Sequence, residues 1–178
     1  MIRTKKDLQE YIAADAKANG MEKHYLLKLI YGNDNARAFR YLKSLRRLEY
    51  AVNNKKLLYQ FRRWYNRRLS LKYGIVLFPN TIGKGLRLPH LVGGVILNCR
   101  HMGDWCIVNG GVVVGNKAKQ EYISTIGNYV ELCIGCKVIG NVMIGDNVVV
   151  APNSVVVKDV PAKAIVSGIP AEVIRIKE

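Results

Sequence analysis

The chain has 178 residues, 49% of them hydrophobic, and carries 28 Lys and Arg against 13 Asp and Glu for a formal net charge of +15. That length and apolar content fit one globular unit or two intimately packed ones. No stretch approaches 18 uninterrupted apolar residues and Met1 to Asp7 is too polar for the core of a signal peptide, so neither a membrane span nor export is expected and the cytoplasm is the simplest compartment.

The charge is uneven. Residues 1–73 hold 18 Lys and Arg against 6 Asp and Glu, whereas residues 74–178 hold 10 against 7. The basic part reads as helical. Thr4 and Asp7 make a capping box ahead of Leu8, Tyr11 and Ile12, and Gly20 closes that segment. A short run with Tyr25, Leu26, Leu29 and Ile30 ends at Gly32. Asp34 is positioned to cap a longer helix carrying Phe39, Leu42, Leu45, Leu48 and Val52. Leu58, Phe61, Trp64, Tyr65 and Leu69 mark a fourth helix as its packing stripe, and near Tyr73-Gly74 the helices stop. Arg62, Arg63, Arg67 and Arg68 interleave with Trp64 and Tyr65. This pattern fits a solvated helix face, phosphate and base contacts, or an anionic membrane surface or glycan, and composition does not separate them. No nucleic-acid partner is expected; contact with a membrane stays open.

From residue 74 the pattern changes. Ile126, Leu132, Val138, Ile144, Val150 and Val156 lie six apart, as do Met102, Val108 and Val114, and Ile82 and Leu88. Ile96 stands six before Met102 and is expected to point inward with them. Four residues after each position comes a second small or apolar residue, as in Leu86, Cys106, Val112, Val130, Cys136, Val142, Val148 and Ser154. A period of six is neither a helix's nor a simple strand's; it predicts a left-handed parallel β-helix of about four coils, mainly β, over 74–178, preceded by the small helical region over 1–73. Such coils bury their faces only by stacking, so the first needs a cap, which the helices are placed to supply. Gly83, Gly103, Gly115, Gly127 and Gly145, with Asn128, Asn147 and Asn153 nearby, suit turns that need positive φ or tight packing. The rhythm slips twice, at Pro89-His90-Leu91-Val92-Gly93-Gly94 and in a polar insertion between Asn116 and Thr125.

Three histidines are available to chemistry. His24 reads as a surface residue in a helix, and His101, next to the inward Met102, as an outward one. His90 follows a proline and precedes two glycines where the array slips, so the bend presents an imidazole, either as a functional group or as a residue that satisfies a turn. Three such scattered histidines do not make the zinc set of a β-helical carbonic anhydrase, and no metal is expected. Cys133 and Cys136 have CxxC spacing but fall on hexad positions, so they, Cys99 and Cys106 read as core residues.

Three segments carry a resemblance. They are Ile82-Gly83-Lys84-Gly85-Leu86-Arg87-Leu88-Pro89-His90 followed by Gly93-Gly94-Val95-Ile96; Ile126-Gly127-Asn128 to Val138-Ile139-Gly140; and Ile144-Gly145-Asp146-Asn147 through Ala151-Pro152-Asn153-Ser154 to Gly168-Ile169-Pro170-Ala171. Over residues 75 to 176 the chain resembles the hexapeptide-repeat acyltransferases, and in particular the serine O-acetyltransferase branch with its shorter relatives associated with polysaccharide synthesis. The resemblance implies a homotrimer whose grooves hold acetyl-CoA as co-substrate, with His90 as the catalytic base and a small hydroxyl acceptor. In the polar insertion Glu121 is a candidate to orient His90 or to bind acceptor hydroxyls across subunits, with Asn98 and Tyr122 as further candidates for acceptor binding, and the alternative is a solvated loop. Gly115, Asn116, Lys117, Lys119, Lys158, Lys163 and Arg175 are candidates for holding the cofactor.

Three departures bear on the acceptor. Pro89 stands where full-length serine acetyltransferases have an aspartate, Tyr122-Ile123 stand in place of an Arg-His pair, and Gly74 to Phe78 offer no carboxylate to orient His90. The expected function is therefore CoA-dependent acetyl transfer to serine, with a sugar hydroxyl in capsule or exopolysaccharide assembly as the alternative acceptor and a non-catalytic binding scaffold as the rival from another class.

Overall fold

Four helices lead into a three-sided column of short strands; the structure, a computed structural model, describes residues 1–116 and 123–178. The helices are α1 (Lys5–Ala18), α2 (Tyr25–Ile30), α3 (Asp34–Asn53) and α4 (Tyr59–Tyr73). At the start of α1 the capping box is complete: Asp7 N donates to Thr4 Oγ1 at 3.0 Å and Thr4 N to Asp7 Oδ2 at 2.9 Å. Asn33 rather than Asp34 caps α3, its side chain accepting from Ala36 N at 3.1 Å. Asn33 keeps the extended backbone that a capping residue needs, whereas Asp34 is already helical. His24 is not in a helix either; it sits exposed at φ +57 just before α2. Gly74, at φ +67, ends α4 in the left-handed conformation that a glycine adopts at least cost.

The strands wind upward in coils. The first coil opens with β1 (Ile75–Leu77) and passes through Ile82 and Arg87, which make single bridges to the coil above. The second holds β2 (Val95–Leu97), β3 (His101–Met102) and β4 (Ile107–Val108), and the third β5 (Val112–Gly115), β6 (Thr125–Ile126) and β7 (Glu131–Leu132). The fourth holds β8 (Lys137–Ile139), β9 (Met143–Ile144) and β10 (Val149–Val150); the last holds β11 (Val155–Val156) and β12 (Ala164–Gly168), against which β13 (Ala171–Ile176) folds back antiparallel. Face A stacks β1, β2, β5, β8 and β11, face B stacks β3, β6 and β9, and face C stacks β4, β7, β10 and β12, every neighbour parallel. The coil opened by β1 lies ahead of Ile82, where the six-residue rhythm becomes readable, so the column is slightly taller than the hexads alone indicate.

The register explains the period. Leu77, Leu97, Val114, Val138 and Val156 lie directly over one another inside face A, all buried. The second set, from Leu86 and Cys106 to Val148 and Ser154, is buried as well. Ile96 is the exception: Val95 and Leu97 point inward and Ile96 outward, 43% exposed. The corner between Leu97 and Met102 is one residue shorter than a hexad, so counting back by six from Met102 lands on the wrong side of the strand. Of the turn glycines, Gly83, Gly103, Gly127 and Gly145 stack on one another, and a Cβ on any of them would collide with the backbone of the coil above. Positive φ falls elsewhere, on Trp105, Tyr129, Asn147 and Asn153 among others.

The helices close the lower end of the column. A first coil has nothing beneath it, so its backbone groups need other partners. On face A, Leu77 N donates to Tyr41 Oη at 3.1 Å. At the next corner, Asn80 N donates to Glu49 Oε1 at 2.9 Å, and Arg46 Nη1 donates to Ile82 O at 2.9 Å. Toward face C, Gly85 N donates to Asp15 Oδ1 at 2.9 Å, while Asn19 accepts from Leu88 N and donates to Leu86 O. Asp15, Arg46 and Glu49 form a buried ion network, with Arg46 Nε 2.9 Å from Asp15 Oδ2 and Nη1 3.2 Å from Glu49 Oε2. Burial opposes the charge on Arg46, but the two carboxylates outweigh it and hold its pKa above the usual value.

Candidate active site

His90 lies on the corner that leads from face C into β2, at φ +52 with its side chain exposed. This is a conformation that histidine tolerates better than most residues do. The corner is three residues longer than the later ones, because Leu88 and Leu97 are nine apart where Val108 and Val114 are six apart. The bulge is held against the coil above: Gly94 N donates to Leu91 O at 3.1 Å and Gly111 N to Gly94 O at 2.6 Å. A Cβ on Gly110 would strike the carbonyl oxygens of His90 and Val92, so that glycine lets the bulge seat. The slip seen in the sequence is thus a packed corner with an outward imidazole.

The other candidates lie at different edges of the column. Asn98, half-buried, follows β2 on the A/B edge, its backbone N donating to Val114 O at 2.9 Å. Gly115 and Asn116 lie one level up on that same edge, where Gly140 N donates to Gly115 O at 3.0 Å, and the exposed Lys158 lies higher still after β11. Lys163 occupies the B/C corner at φ +62, and Arg175 is exposed on β13, paired with Ile165. Within one chain, then, His90 stands at one margin of face A and Asn98, Gly115, Asn116 and Lys158 at the other. Lys117, Lys119, Glu121 and Tyr122 lie outside the described residues.

His101 is exposed on β3, as its neighbour Met102 requires. Among the described residues no group of three or more His, Cys, Asp or Glu is arranged to hold a metal ion. The cysteines are free and belong to the column: burial pushes Cys99 and Cys136 up to about 12 and Cys106 up to about 11, and Cys106 Sγ lies 3.3 Å from Gly127 O. These three thiols are protonated and unreactive at neutral pH, whereas Cys133 is only half-buried and is not the core residue that the hexad count predicts.

One site was invisible in the sequence. Arg40, Lys43, Arg47 and Arg62 surround a cavity of about 340 Å³ between α2, α3 and α4, together with Leu58 and Phe61. Their separation along the chain conceals this, and only the i, i+3 and i, i+4 spacing within α3 hints at it.

The bacterial transferase hexapeptide family model, described as six repeats, matches residues 123–158. The serine acetyltransferase of Synechococcus elongatus is 38% identical over 104 residues, covering 57% of this chain and 43% of that protein. The chain therefore spans less than half the length of that curated relative. A Neisseria gonorrhoeae serine acetyltransferase solved in complex with serine has a TM-score of 0.76 and 26% identity, covering 96% of this chain and 70% of that one. A serine acetyltransferase solved with CoA has a TM-score of 0.70 and 18% identity, covering 96% and 71%, and so shares the fold. The chain thus folds as a β-helix whose residues 123–158 match the bacterial transferase hexapeptide model, with helices and coils arranged as in the solved serine acetyltransferases.

Proposed function

We propose that the protein is a CoA-dependent O-acetyltransferase and that His90 is its general base. The observation that carries this reading is an exposed imidazole on a bulged corner of a β-helix whose similar proteins are named serine acetyltransferases. An acceptor hydroxyl is a poor nucleophile until its proton is removed. As its oxygen bonds to the thioester carbon, the His90 ring takes that proton, and when the carbon–sulfur bond breaks the leaving thiolate of CoA takes it back. Backbone N–H groups at a glycine-rich bend are suited to the oxyanion that forms between the two steps.

The two margins of face A meet only between subunits. Val76, Ile96, Val113 and Val155 make the outside of that face mostly apolar, and Lys137, which shares their register, turns its ammonium onto the carbonyl oxygens of Gly111 and Gly135, which favours burial of the face against a neighbouring column. In a closed three-fold ring, His90 of one subunit faces the A/B edge of the next. Asn98, with Glu121 and Tyr122, then contacts the acceptor, while Gly115 and Asn116 admit the pantetheine arm along the edge. Lys117, Lys119, Lys158, Lys163 and Arg175 are the cations available to the phosphates of CoA. The donor places the reaction in the cytoplasm.

Serine is the acceptor suggested by the similar proteins. A sugar hydroxyl in polysaccharide assembly is favoured by one observation: Pro89, Tyr122 and Ile123 replace the charged groups that a free amino acid would need. Release of free CoA from acetyl-CoA, followed with serine and with a panel of nucleotide sugars, tests both. Turnover that depends on one of these hydroxyl acceptors is expected. No release with any acceptor, from a correctly assembled protein, would leave the prism as a binding scaffold.

A further inference from the structure

Helix α4 turns the wrong face to solvent. Asn66, Leu69 and Ser70 are its buried side, whereas Leu57 just before it and Phe61, Trp64 and Leu71 along it are 100%, 61%, 53% and 69% exposed. Phe61, Trp64, Arg68 and Leu71 repeat at three- and four-residue steps, so they form a single ridge on the pole opposite the core, with Leu57 in the turn that precedes it. Phe61 and Trp64 touch, with ring centroids 5.7 Å apart, and the Arg68 guanidinium lies 5.2 Å from the Trp64 ring. Arg62, Arg63, Arg67 and Lys72 flank the ridge, and from residue 50 to residue 103 the sequence contains no Asp or Glu.

Beside the ridge opens the cavity lined by Arg40, Lys43, Arg47 and Arg62. Among the described residues no carboxylate lines it. Arg40 donates to the Tyr65 hydroxyl at 3.1 Å, and the Lys43 ammonium is disfavoured by burial and by Arg47. Four cations gathered without a counter-ion beside exposed hydrocarbon call for an anion attached to something apolar.

We propose that α4 docks the protein onto an anionic phospholipid bilayer, with Phe61, Trp64 and Leu71 entering the interfacial region and lipid phosphates occupying the cationic cavity and the flanks of the ridge. Aromatic and aliphatic groups on one helix pole, bordered by Lys and Arg, are what an interfacial helix requires. A second copy of this chain is a poor occupant because an isologous contact would set arginines against arginines. Nucleic acid would satisfy the cations and the aromatic rings but would leave Leu57 and Leu71 against water or phosphate. The proposal is independent of the acetyl-transfer reading.

The test uses the full chain and vesicles of phosphatidylcholine alone or with about a third phosphatidylglycerol. Co-sedimentation is expected with the anionic vesicles only and is expected to weaken at high salt. Trp64 emission should shift to the blue on binding, a change lost in Trp64→Phe. The double variant Phe61→Ser/Trp64→Ser and the triple variant R62Q/R67Q/R68Q alter groups that are exposed or, for Arg62, half-buried at the cavity and outside the core, so both should fold. Each is expected to lower vesicle partitioning by at least about tenfold while CoA release with a water-soluble acceptor is unchanged. Equal binding to neutral and anionic vesicles, no binding, or variants that bind as the parent does would overturn the proposal. So would sedimentation velocity showing that the same variants abolish self-association without lipid, or a duplex DNA probe that binds more tightly than the vesicles.

Discussion

Replacing His90 with alanine is expected to lower acceptor-dependent CoA release by about a hundred- to ten-thousandfold, the range that general-base removal produces. The structure also provides for the competing explanation, in which the residue merely satisfies the turn. His90 sits at φ +52, where an alanine is strained by about 1–2 kcal/mol and asparagine is at home. His90→Asn therefore keeps the corner and removes the base. If His90→Asn is as inactive as His90→Ala while both retain the parent's oligomeric state and circular dichroism, the imidazole acts chemically. If asparagine restores the rate, the histidine is a turn residue and the proposed site is wrong.

The largest expected effect on stability lies at the other end of the column. Arg46 is fully buried and touches Asp15, Glu49 and the carbonyl of Ile82 at once, so it joins α1 and α3 to the first coil. Arg46→Met keeps much of the volume but strands two carboxylates and the carbonyls of Ile82 and Gly83 in the interior. A cost of about 3–5 kcal/mol is expected, read as a lower urea midpoint. Burial already pushes the Glu49 carboxyl above its ordinary value, with Arg46 opposing, and losing Arg46 raises it further. A raised folded-state pKa contributes stability below the unfolded value and loses it as pH climbs through the folded one. The gap between variant and parent should therefore narrow as pH is brought down from about 7.5 to about 5. A gap that stays flat or widens on acidification would show that Glu49 does not carry the charge in question.

These two sites differ in how far the sequence discloses them. The column is legible because each inward side chain meets its own counterpart one coil away, so a contact in space becomes a period along the chain, as in the line from Ile126 to Val156. His90 is legible for the complementary reason: an interruption of the period marks the bulge. Ile96 lies on the face opposite to the one its spacing predicts, because one shortened corner shifts the count by a residue, which a strand converts into the opposite face. The cap could be anticipated as a need but not as residues. Asp15, Arg46 and Glu49 come from two helices and bond to backbone groups between Asn80 and Leu86, and no local pattern encodes such pairings. The aromatic positions Phe61 and Trp64 of α4 have the spacing of a packing stripe yet face solvent, since spacing reveals that a stripe exists but not which side of it meets the core.

The most direct test asks whether His90 and the A/B edge belong to one site shared between subunits. Gly115→Glu is suitable for the second half, because among the described residues a Cβ there meets Val113 and Ile139 side chains at ordinary contact distances of 3.9 and 4.0 Å, while the added carboxylate would repel CoA. His90→Asn and Gly115→Glu chains, each inactive alone, are co-expressed in equal amounts and CoA release is measured on the mixed assemblies. With random assembly into closed rings, about a quarter of the interfaces pair an intact histidine with an intact edge, so recovery of about a quarter of the parent's activity is predicted. A mixture as inactive as its components would contradict the shared groove.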